Sequence, residues 1–135
     1  MSQFAIAYVA TAVTFLAIDF VWLSLMASRL YRPQIGALLL DQPNLVVAGL
    51  FYLVYAVGIV VLAVMPAFGA RSVLMAIGLG ALLGLVAYGT YDITNLATLK
   101  GWSVTVTVVD MVWGMTITAI GALAGYLALR SFMPD

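Results

Sequence analysis

Four apolar runs, each long enough to cross a bilayer and nearly free of charge, constrain this chain more than any other feature. A hydrocarbon core about 30 Å thick is crossed by about 20 apolar residues in a helix. The first run extends from Phe4 to Ala27 and the second from Leu45 to Met65; the third follows Arg71 and the fourth follows Ser103. In lipid each backbone N–H and C=O needs a partner, which leaves only helices or closed barrels. Barrel strands need about 9–11 residues, and these runs are roughly twice that. The expected fold is therefore an all-α integral membrane protein. It is a single four-transmembrane-helix domain over residues 1–135, with helices at about 4–27, 45–65, 72–99 and 103–129. Composition agrees: 66% of residues are hydrophobic and 7% charged, against about 25% charged in soluble chains. A cleaved leader fits the first run poorly, because that run has no charged n-region and contains Asp19 and Trp22.

The connections carry their own signals. Arg29-Leu30-Tyr31-Arg32-Pro33 reads as headgroup level, and Pro33 biases the residue before it away from helix. Gln34 to Leu40 is too short to span and is expected as a short interfacial helix between helices 1 and 2, with Asn44 as the next N-cap. Pro66-Ala67-Phe68-Gly69 is expected as the second turn, and Lys100-Gly101-Trp102 as the third. Four spans return the chain to its starting side. Lys and Arg are nearly balanced between the two sides, so orientation is not encoded. Gly80 with Gly84, and Gly121 with Gly125, stand at the four-residue spacing that lets helix backbones approach.

Composition also removes whole classes of function. There is no Cys and no His, and the chain lacks Glu as well, so thiol and imidazole chemistry and their metal and haem sites are excluded. No metal and no cofactor is implied. Net charge is zero, which gives no electrostatic case for nucleic acid as a partner. The partner implied throughout is the lipid bilayer.

Against this background the stretch Tyr88-Gly89-Thr90-Tyr91-Asp92-Ile93-Thr94-Asn95 stands out, with two further acids in apolar runs, Asp19 and Asp110. Each of those two begins the pattern Asp-x-Val-Trp, ending at Trp22 and Trp113. Counting from a turn at Gly101, Asp92 and Asp110 lie at the same depth, about 13 Å in at 1.5 Å per residue. Asp19 lies similarly deep relative to Arg29, and Tyr52 and Tyr55 enter from the same side. Helical spacing puts Phe15, Asp19 and Trp22 on one face, Gly84, Tyr88, Asp92 and Asn95 on another with Tyr91 adjoining, and Thr107, Asp110, Trp113 and Gly114 on a third. The expectation is one buried layer that binds protons or a small cationic, amphipathic or lipid-like ligand, with at least one Asp protonated. Intramembrane acids default to function. The competing expectation is structural, with Asp19 and Trp22, and Asp110 and Trp113, acting as clamps between helices. Asp92 is the least secure member, since Asp92 to Leu99 also suits an interfacial loop.

The motifs Asp-x-Val-Trp, Tyr91-Asp92-Ile93-Thr94-Asn95 running on to Trp102, and Val109-Asp110-Met111-Val112-Trp113-Gly114 resemble a known family. It is the domain of unknown function 2177 family of bacterial membrane proteins, and the similarity covers nearly the whole chain. The resemblance implies four helices in a bacterial inner membrane and assigns no activity. Three readings follow from the residues. One is a small proton-coupled transport or ligand-binding protein, expected as a homodimer. Another is a membrane enzyme acting on a lipid or isoprenoid, with Asp92 as acid, Asp110 as base and Asn95 or Tyr91 orienting the substrate. The last is a structural or accessory subunit.

Overall fold

Each long helix begins at a small polar side chain that takes up an amide left without a partner in the first turn. Ser2, Asn44, Ser72 and Ser103 accept from the backbone N–H of Ala5, Val47, Met75 and Val106, the expected role of Ser and Asn at an N-cap. The structure, a computed structural model, describes residues 2–134. Its regular elements are all helical: α1 Gln3–Leu38, α2 Leu45–Gly69, α3 Val73–Thr98 and α4 Val104–Phe132. All four are long and apolar enough to cross a membrane, and the chain is a multi-pass membrane protein.

Two helices run further than their prolines suggest. α1 is regular over Gln3–Met26, widens into a π turn at Ala27–Tyr31, then continues through Arg32–Ile35 to a last 3₁₀ turn at Gly36–Leu38. The stretch read as an interfacial helix thus follows α1 without a break and is helical only to Leu38. α2 likewise passes through a π turn at Val60–Val64, and the turn expected at Pro66 falls at Ala70 and Arg71 instead. Pro33 and Pro66 each sit two residues beyond a π turn. A proline inside a helix clashes with the carbonyl four residues back, and here that carbonyl lies within the widened turn. Widening moves it out of line with the ring, so the helix survives its proline. Arg71 closes the α2–α3 turn at φ 53, and Gly101 the α3–α4 turn at φ 77.

α4 is the hub: 44% of its most apolar stretch is buried, against 28% for α1 and 17% each for α2 and α3. Glycines set its contacts. A Cβ on Gly80 would come within 2.9 Å of Ala119 Cα, and one on Gly84 would strike the backbone of Gly114 and Met115. On another face of α4, Gly125 lies against Thr11 and Ala7 of α1 and Val64 of α2. Both glycine pairs noted in the sequence are therefore buried, although Gly121 meets its neighbours only at ordinary contact, 3.7 Å. In the half of the bundle toward the termini, Ala7, Phe15, Ile59, Ala63, Ile117, Ala122 and Leu129 form the main core. Lipid takes the rest; Leu74 is 77% exposed and Phe20 73%.

Candidate functional site

The π turn in α1 decides what reaches the polar layer. In a regular helix at about 100° per residue, positions nine apart lie roughly half a turn out of phase. The wider turn brings Tyr31 back toward the side that carries Trp22. Trp22 Nε1 donates to Tyr31 Oη at 3.0 Å, and Tyr31 Oη donates to Asp110 Oδ1 at 2.7 Å. Trp113 Nε1 on α4 donates to Asp19 Oδ1 on α1 at 3.1 Å. The two indoles stack, with centroids 4.1 Å apart and planes within 8°. The clamps are therefore crossed. Each Asp-x-Val-Trp motif holds the acid of the other helix, directly at Asp19 and through Tyr31 at Asp110, and neither binds its own Trp.

α3 runs unbroken through the polar stretch, so Asp92 belongs to the helix and not to a loop. It is fully buried, and its carboxyl is near enough to that of Asp110 for the two to interact. The tight crossing of Gly84 over Gly114, two turns from Asp92 and one from Asp110, draws the two helices together. Neither oxygen of Asp92 meets a donor, and Asp19 Oδ2 has none either. The Tyr52 hydroxyl faces Asp19 but stops short of bonding geometry with that oxygen. No basic side chain acts on Asp19 or Asp92. Two carboxyls in contact form a hydrogen bond only when one of them holds a proton. Among the described residues, no three acids gather closely enough to ligate one metal ion.

The remaining residues divide. Tyr55 bonds Thr118 at 2.8 Å and packs edge-on to Phe15 and Tyr88, one turn below the carboxyls. Tyr88 fills the space over Gly114. Tyr52 packs edge-on to Phe15 beside Asp19. Tyr91 is 55% exposed and turns to the ring of Trp102, and Asn95 is half-buried with no hydrogen bond to the layer; these two stand outside it. Sequence reasoning missed Tyr31. Its neighbours Arg29, Arg32 and Pro33 all signal a headgroup, and nothing in the residue pattern announces a π turn.

Two apolar grooves open toward lipid. One, of about 260 Å³, is lined by Trp22, Val108, Val109, Val112, Trp113 and Thr116. The other, of about 560 Å³, lies near the termini between Ile6, Val9, Ala10, Ala128, Phe132 and Met133. No carboxylate lines either groove.

A family described as predicted membrane protein (DUF2177) matches residues 4–127, which reaches from α1 into α4 and includes every residue of the polar layer. The chain belongs to this family. No curated protein matches, and no solved structure matches. Membership of DUF2177 agrees with the resemblance carried by the three motifs, and it makes the chain a membrane protein without attaching an activity to the layer.

Proposed function

We propose that this DUF2177 protein binds protons at its carboxyl layer and exchanges them for a small organic cation, as the core of a proton-coupled transport or ligand-binding activity. The observation that carries the reading is the set of buried carboxylate oxygens without donors, both on Asp92 and one on Asp19, with Asp110 in contact. Two carboxylates held together in a medium of low dielectric cannot both stay charged. One shared proton cuts the charge of the pair from two to one, and a monovalent cation is the other species that does the same. The spacing of the acids suits separate protons better than one multidentate ion. Stacked indoles and nearby phenols offer ring faces, which attract cations.

We further place the protein in a bacterial inner membrane as a homodimer. The test of function uses tetraphenylphosphonium, a hydrophobic monocation, added to the purified full chain in weak buffer with a pH indicator. About one proton is expected to leave per cation bound, and Asp92→Asn is expected to abolish the release. Cation binding without proton release in the parent contradicts the proposal, as does unchanged release in the variant.

A further inference from the structure

We infer that the tail of α1 beyond its π turn is a gate over the carboxyl layer, with Tyr31 as its latch. Water from the headgroup region then reaches Asp110 and Asp92 only when Tyr31 swings away. This rests on the layer being a proton site, and it adds how that site is opened.

The tail lies across the start of α4 on the headgroup side of the acids. Leu30 and Ile35 are buried with Val106, beside Trp22, Met26, Trp102 and Val109. Its outer end is tied by Ser103 Oγ, which donates to Gln34 Oε1 at 2.8 Å. Its inner end is tied by Tyr31 on Asp110, with Trp22 holding the phenol from behind. The latch closes the π turn, Ala27–Tyr31, which joins the tail to the body of α1. Pro33 supplies no backbone N–H and keeps this turn from closing to a regular α turn, so the helix is held less firmly here and the tail can bend as a unit. The tail therefore has a hinge, a seat and a latch.

The latch responds to the group it guards. A phenol donates more strongly to a carboxylate than to a carboxylic acid, because the bond to the ion is charge-assisted. Tyr31 holds Asp110 by such a bond, and this is the bond that opening the gate must break. Six groups set the charge that Asp110 meets: Tyr31 and Asp19 from α1, Tyr52 from α2, and Tyr88, Tyr91 and Asp92 from α3. None is basic, so no cation competes with Tyr31 for the carboxylate.

The experiment follows hydrogen–deuterium exchange of the carboxylic-acid C=O infrared band, in the full chain reconstituted in phosphatidylcholine vesicles. Tyr31→Phe keeps the ring and removes the latch, and exchange is expected to quicken about tenfold, the weight of one hydrogen bond to a charged group. A second variant closes the gate instead. Gln34→Cys with Ser103→Cys, joined by a reducible bis-methanethiosulfonate linker, is expected to slow exchange until reductant is added. The chain has no native Cys to interfere. Parent-like exchange in both variants, with the band present, overturns the gate and leaves the proton site standing. Absence of the band from the parent overturns both.

Discussion

The two halves of the bundle use similar polar side chains in opposite ways. Toward the termini the buried threonines among the described residues have partners: Thr11 donates to the Gly121 carbonyl at 3.1 Å, and Thr118 pairs with Tyr55. These bonds sit among close-packed alanine, valine and isoleucine. Toward the α1–α2 and α3–α4 connections the buried polar groups are acids, and every unpartnered buried side-chain oxygen among the described residues belongs to Asp19 or Asp92. The same half holds the π turn that carries Tyr31. A fold that satisfies its polar atoms in one half is capable of doing so in the other. Unmet acceptors confined to one layer therefore mark a place kept for something else, and a proton is the smallest candidate.

Substitutions can break or sharpen this contrast, and the most severe acts on the seam common to both halves. Gly84→Val drives a side chain into the backbone of Gly114 and Met115, and is expected to cost about 3 kcal/mol. Thermal unfolding in detergent measures this, with Gly78→Val, whose Cβ enters open space, as the silent comparison. Next is Trp113→Phe, which leaves both oxygens of Asp19 without a donor. A loss of about 2 kcal/mol is expected in the same assay. Asp92→Asn should move the other way. Its amide donates to Asp110 whether or not a proton is bound, so stability is expected to rise by about 1 kcal/mol. A large loss there would make Asp92 an ordinary structural residue. The smallest effect is expected of Tyr91→Phe, within about 0.5 kcal/mol, because this exposed phenol stands outside the layer.

Much of this was legible in the residues alone. Counting nine positions either side of Gly101 places Asp92 and Asp110 at one depth, and the two lie near enough to interact. Period-3.6 spacing likewise puts Gly84, Tyr88 and Asp92 on the face that meets α4. Depth and face follow from helix geometry alone. Which acid takes which donor does not, because that depends on how α1 crosses α4. The crossed clamps emerge only once Trp22 and Trp113 stack. Tyr31 was hidden for a different reason. Pro33 reads locally as a helix stop, and only a widened turn, which leaves no mark in the residue pattern, lets α1 pass through it.

The central claim is that Asp92 and Asp110 hold a proton between them in the membrane, and the infrared spectrum of the reconstituted protein at neutral pH tests it most directly. The account predicts a carboxylic-acid C=O band in the parent that disappears in Asp92→Asn, where an amide takes the proton's place. A parent spectrum with carboxylate bands alone, or a band that survives in Asp92→Asn, would contradict it.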